Sequence, residues 1–149
     1  MTELTLRIEK IKSGTVIDHI EPGKAIRVLN ILGLEGQDGR LITVAINVQS
    51  KKLGGKKDII KVENVFLDNE QLNQISLLSP KCSISYIENF EVSKKFILNL
   101  PETFIGLFPC LNENCISNVA AEPMKSEFQV ISEKPVKLRC VYCSRINRF

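Results

Sequence analysis

The chain has 149 residues, a formal charge of +3, 44% hydrophobic and 25% charged residues, the make-up expected of a soluble globular protein with room for two small domains or one ordinary one. No apolar run approaches the roughly 20 residues that a membrane helix needs. Neither the C-terminal third nor the remainder carries the basic excess of a protein whose affinity comes from nucleic-acid phosphates.

In chain order, Arg7-Ile8-Glu9-Lys10-Ile11 and Thr15-Val16-Ile17-Asp18-His19-Ile20 read as extended, interrupted by Ser13-Gly14. Glu21-Pro22-Gly23 opens a helix in which Ala25, Ile26, Leu29 and Leu32 share a face, and Gly33 and Gly36 stop it. From Leu41 to Val48, Ile42, Val44, Ile46 and Val48 alternate with Thr43, Ala45 and Asn47, the pattern of a half-buried strand. Lys51-Lys52-Leu53-Gly54-Gly55-Lys56 reads as a loop, and a strand follows around Asp58–Val62. The second helix starts at Asp68, an N-cap with Gln71 three residues on, a capping-box pair. Leu72, Ile75 and Leu78 form its apolar stripe, and Ser79-Pro80 ends it. Cys82–Tyr86 and Phe90–Leu98 supply the last strands.

The order β, α, β-β, α, β is that of a split βαβ arrangement, so residues 1–98 are expected to form an α+β, ferredoxin-like antiparallel sheet with two helices. Asn99-Leu100-Pro101-Glu102 is the expected hinge at 99–102. Residues 103–149 form a second, small β-rich domain. That domain is short of large apolar side chains and needs a staple to stay folded.

Its cysteines supply one. Cys110-x4-Cys115, a 24-residue interval and Cys140-x2-Cys143 bring two close pairs around one tetrahedral Zn2+. Structural zinc contributes about 10–16 kcal/mol in small peptides, and that energy becomes folding energy. Four thiolates leave no open coordination position, so the metal is structural. Two disulfides are the weaker reading, because the chain shows no signal peptide and Cys82, read as a small buried thiol in a strand, has no obvious disulfide mate in the spacing. Reduced cysteines imply the cytoplasm. An enzyme is disfavoured by a single histidine without a nucleophile–base constellation. A zinc-containing nucleic-acid-binding module is the alternative, but the strands lack an aromatic cluster for base stacking and the charge is nearly balanced.

Four blocks together are distinctive: Gly14-Thr15-Val16-Ile17-Asp18-His19-Ile20, Lys57-Asp58-Ile59-Ile60-Lys61-Val62-Glu63-Asn64, Cys110 to Ser117, and Cys140-Val-Tyr-Cys143. In this order they closely resemble the regulatory chain of aspartate carbamoyltransferase, from about Glu9 to Cys143. The resemblance implies a non-catalytic allosteric subunit for pyrimidine biosynthesis. Its N-terminal domain would bind nucleoside triphosphate effectors (CTP, ATP, UTP), and its zinc domain would dock on a separate catalytic chain. It further implies regulatory homodimers within a dodecamer of two catalytic trimers and three regulatory dimers.

By the same resemblance Lys95 and His19 correspond to phosphate contacts, and Lys61 and Asp18 to ribose or neighbouring contacts. Glu9, Ile11, Val16, Ile87 and Val92 match positions lining base and sugar, and Asn112 and Asn114 match contacts to the catalytic chain. The chemistry suits these roles: lysines are compact cations, and a phosphate nearby raises the protonated fraction of His19. Asp18 is available to pair with Lys61, to receive a ribose hydroxyl or to help hold Mg2+ accompanying the nucleotide. In a regular strand Asp18 and His19 point to opposite faces, so their joint use requires a strand end or an irregularity. Ser85 stands where better-known members carry a longer amide, Phe90 where they carry tyrosine, and Ser144 where a glutamate is familiar. Lys94 adjoins Lys95, and the alignment favours Lys95.

Overall fold

The computed structural model describes residues 10–51, 54–119 and 124–148. They fall into two compact units. One comprises the chain up to Leu67 together with Cys82–Ile97, the other Asp68–Lys81 together with Leu98 onward.

The first unit holds β1 (Gly14–Ile20), α1 (Ala25–Leu32), β2 (Ile42–Ser50), β3 (Gly55–Glu63), β4 (Ser83–Glu88) and β5 (Glu91–Ile97). Its five strands form one sheet in the order β2-β3-β1-β4-β5, and every neighbouring pair is antiparallel. The first strand therefore sits in the middle, between the strand before and the strand after the second helix, which is the split βαβ connection. Ile17 of β1 stands opposite Ile60 of β3 and Ile84 of β4, and all three are fully buried. α1 packs against β3. The extended stretch expected at Arg7–Ile11 lies outside the described residues except for Lys10 and Ile11, which have no regular structure.

Three local expectations change. Ala25 and Val28 are the buried residues of α1, with Leu29 and Leu32 half-buried, whereas Ile26 is 54% exposed. Ile26 lies about 100° around the helix from Ala25, while Val28, one turn on, lies close beneath it. In β2 the register shifts between Ala45 and Val48, and Asn47 adopts φ 62°. This bulge ends the alternation and leaves Ile46 exposed. β3 begins at Gly55, so Lys56 and Lys57, read as loop or its margin, are strand residues.

α1 lacks a capping side chain of its own at Lys24. The fully buried Asp58 of β3 takes that role: its Oδ2 accepts the N–H groups of Gly23 (2.8 Å) and Ala25 (3.1 Å), and its Oδ1 that of Asn47 (2.9 Å). Gly33 closes the helix in the left-handed conformation, φ 66°.

The second unit begins with α2 (Asn69–Leu78). The capping box is formed: Asp68 accepts from the Gln71 N–H at 2.8 Å and Gln71 Oε1 from the Asp68 N–H at 3.1 Å. Ile75 and Leu77 are buried, and Leu72 and Leu78 only half-buried. Leu77 is off the expected stripe because it joins a different core, with Phe104, Phe128, Val136, Leu138 and three cysteines. β6 (Thr103–Ile105), α3 (Ile116–Val119), β7 (Glu127–Glu133), β8 (Val136–Cys140) and β9 (Ile146–Arg148) complete the unit. The strands form an antiparallel sheet in sequence order, and Phe108 stacks on Phe128 at 4.8 Å between centroids. The protein is thus α+β, with a β-rich four-cysteine piece at its C-terminal end. Among the described residues no helix is long and apolar enough to cross a membrane.

Candidate functional site

Residues paired across antiparallel strands project to the same side of the sheet. One such row crosses the first unit: Thr43 opposite Lys61, Lys61 opposite Val16, Val16 opposite Ser85, Ser85 opposite Lys95. Two residues along β1, Asp18 pairs with Ser83; two residues the other way, Gly14 pairs with Ile87, which pairs with Val92. Val16, Asp18, Lys61, Ile87, Val92 and Lys95 therefore share the face opposite the Ile17–Ile60–Ile84 row. Val92 and Lys95 are exposed, Val16 and Lys61 half-buried, Ile87 buried. Lys94 pairs with Tyr86 on the other face and holds its Nζ 5.3 Å from the Phe96 ring centroid. The two adjacent lysines thus serve opposite faces.

Asp18 and His19 meet because β1 is irregular. The β1–β3 register shifts between Ile17 and Ile20, and His19 adopts φ 57°. The imidazole Nδ1 lies 3.2 Å from Ser83 Oγ and 3.8 Å from Asp18 Oδ1, and the His19 N–H donates to that carboxylate at 2.6 Å. Asp18 is ion-paired to Lys57, at 2.8 Å, rather than to Lys61, one of the partners left open to it. Lys61 stands opposite Val16, farther up the strand, whereas the bulge carries Asp18 toward Lys57. Burial raises the Asp18 carboxyl, but the Lys57 ammonium and the His19 N–H together hold it below its ordinary value. Lys57 is the residue of this cluster that the sequence did not point to. Ile11 is buried, and Glu9 lies outside the described residues. The N–H of exposed Phe90, at the β4–β5 turn, donates to the Lys12 carbonyl and holds that segment beside the turn.

In the second unit, Cys110 and Cys115 flank the loop before α3, Cys140 ends β8, and Cys143 lies in the turn to β9. All four sulfurs lie within 4.8 Å of one another, with Cys110–Cys143 at 3.7 Å and Cys115–Cys140 at 3.6 Å. Thiolates about 2.3 Å from a tetrahedral metal ion are separated by about 3.8 Å, so the arrangement fits one ion and leaves it no open position. The loop is shaped by its own polar groups. Asn118 donates to the carbonyls of Cys110 (2.9 Å) and Asn112 (2.8 Å), and Asn112 Oδ1 accepts the Asn114 N–H (3.1 Å). Half-buried Asn112 also hydrogen-bonds Cys143, while Asn114 is exposed.

The thiols differ before any metal enters. Burial pushes Cys140 up to about 11 and raises Cys110. The Arg145 backbone N–H, with help from Asn112, brings Cys143 down to about 6. Cys143 is then available as a thiolate before Cys110 and Cys140, which must release protons as they bind. Asn147, fully buried with its Oδ1 2.9 Å from the Leu111 N–H, is a further member of this centre. No local spacing marks it.

Two family descriptions match the chain: "Aspartate carbamoyltransferase regulatory chain, allosteric domain" over residues 6–99, and "Aspartate carbamoyltransferase regulatory chain, metal binding domain" over residues 102–149. Curated relatives carry the same name. That of Thermoplasma acidophilum is 50% identical over 143 residues, 96% of this chain and 93% of the relative. That of Ignicoccus hospitalis is 48% identical, covering 95% and 90%, and that of Pyrococcus horikoshii 46%, covering 94% and 91%.

Proposed function

Because the chain belongs to the family of aspartate carbamoyltransferase regulatory chains, we propose that its first unit senses nucleoside triphosphates and its second docks on the catalytic chain through a zinc-pinned loop. It is a non-catalytic regulatory subunit with an allosteric and a metal-binding domain. The observation that carries the effector reading is the row Lys61–Val16–Ser85–Lys95 with Asp18 and His19 beside it on the same face. Lys95, Lys61 and protonated His19 supply cations for the phosphates. Val16, Ile87 and Val92, with Ile11, form the wall for base and sugar; Glu9 lies outside the described residues. Asp18, already held ionised by Lys57, receives a ribose hydroxyl or helps hold an accompanying Mg2+. Ser85 brings a short hydroxyl to the row in place of a longer amide, which removes one contact to the base, and CTP, ATP and UTP are the effectors the face is proposed to take.

The four thiolates suit Zn2+ better than oxygen-seeking cations. When bound, zinc neutralises and cross-links them, which removes most of the ordering cost of the loop that presents Asn112 and Asn114. The complex is a dodecamer of two catalytic trimers and three regulatory dimers, working in the cytoplasm, where the five cysteines stay reduced. A coupling of about 1–3 kcal/mol between the two regions suffices for regulation.

The test is calorimetric titration of the full-length zinc-loaded chain with CTP and ATP, beside co-purification with the catalytic chain. Nucleotide binding that Lys95→Met weakens at least tenfold, with zinc-dependent co-purification, is the expected result. A chain that co-purifies but binds neither nucleotide would remove the effector role. A chain that never co-purifies would remove the docking role.

A further inference from the structure

Asn147 is 0% exposed although it lies in a three-residue strand at the sheet edge. Its partners account for the burial. Oδ1 accepts the N–H of Leu111, the residue after Cys110, at 2.9 Å. Nδ2 donates to the Arg145 carbonyl at 3.1 Å and lies 4.0 Å from the Cys110 sulfur, the long limit for such a bond. The same Arg145 carbonyl accepts the Cys140 N–H at 3.0 Å, and the Arg145 N–H bonds the Cys143 sulfur. One neutral side chain therefore ties the backbone of the first cysteine pair to the turn that carries the second. An amide is well chosen for this: it both accepts and donates, and it adds no charge beside four thiolates.

We infer that Asn147 is a positioning residue of the metal centre, fixing the separation of the Cys110–Cys115 and Cys140–Cys143 pairs so that the bound ion keeps one tetrahedral geometry. The inference rests on the four-thiolate metal reading given above. Groups that orient metal ligands typically change affinity 10–100-fold when removed.

The experiment uses the full chain with Zn2+ competed by a chromophoric chelator, and with Co2+, whose visible bands report the symmetry of its ligands. Asn147→Asp keeps the acceptor for Leu111 and loses the amide donors; Asn147→Leu loses both. Val136→Ala, in the same core but without bonds to the cysteine loops, is the control. Both Asn147 variants are expected to weaken Zn2+ binding 10–100-fold and to shift the Co2+ bands, whereas Val136→Ala lowers apparent affinity through folding alone and leaves the bands in place. Should Asn147→Leu fail to fold at saturating metal, Asn147→Asp carries the test. Asn147 variants that leave the bands unmoved, as the control does, would overturn the inference and leave the metal reading standing. A parent chain that takes up neither metal would overturn both.

Discussion

Asp58 is a buried carboxylate with no cation against it among the described ion pairs; three backbone N–H groups from two separate segments satisfy it instead. Removing it strands those donors at about 1–3 kcal/mol for each one left without a partner. Asp58→Ala is therefore expected to cost about 3 kcal/mol or more, read from thermal unfolding of the full chain, and Asp58→Asn less, since one oxygen still accepts. Asp18 offers a different readout. Its folded-state carboxyl is held below the ordinary value near about 3.9, so its pairing with Lys57 stabilises the fold above about pH 4. That stability is lost as the pH falls through the lower, folded value. The melting temperatures of the parent and Asp18→Asn should then differ near about pH 7 and converge toward about pH 2; a gap that persists in acid would assign the effect to packing. At this scale the sequence was partly readable. Alternation showed that Asp18 and His19 meet on one face only at a strand end or an irregularity, and a bulge is there. Lys57 was hidden because it adjoins a Lys- and Gly-rich stretch that reads as loop, although the strand starts at Gly55. Asp58 and Asn147 were hidden because each bonds residues far along the chain, and such contacts leave no local spacing.

Among the elements, those with local signatures were the legible ones. The Asp68–Gln71 box marks the start of α2 and is formed as read; Asp68→Ala should cost about 1 kcal/mol, seen as a lower melting temperature. α1 had no such mark, since its cap comes from β3. The β2 pattern predicted a strand correctly but not its bulge, because alternation carries no information about where register slips. Gly14 makes a sharper test of the β1–β3 pairing. It sits at φ 148°, and a Cβ there would stand 2.0 Å from the Val62 carbonyl oxygen. Gly14→Ala must open that pairing and is expected to cost about 3 kcal/mol, with faster amide hydrogen exchange at Val16 and Val62 than in the parent. Exchange unchanged at those amides would mean that the strand end yields without disturbing the ladder.

For the whole molecule, the cysteine spacing announced a metal-stapled piece, and the four sulfurs do converge. The core beneath them contains three of the cysteines beside Phe104, Phe128 and Leu138, so metal binding and packing are one event. Stripping the metal with a thiol reagent should release the amides of β6–β9 to exchange while those of β1 and β3 stay protected. Acidification should do the same in a graded way, since protonated thiols do not hold the ion. What the sequence did not disclose is that Asp68–Lys81 packs with the C-terminal unit, although the strands on either side of it belong to the first. Leu77 falls outside the stripe that periodicity selects, yet it belongs to the core that holds Phe104 and Phe128.

That placement imposes an order in time. As the chain leaves the ribosome, β1 to β3, α2 and then β4 and β5 emerge, and the five-stranded sheet has all its strands once residue 97 is out. Leu77 has by then been synthesised for some twenty residues without any of its partners, because Phe104, Phe128, Leu138 and all four metal-binding cysteines are still to come. The strands of the first sheet are all made while Leu77, on the helix between β3 and β4 in the chain, still lacks the last cysteine pair. A nascent chain stalled before Cys140 would therefore expose Leu77, whose core needs residues still to be made.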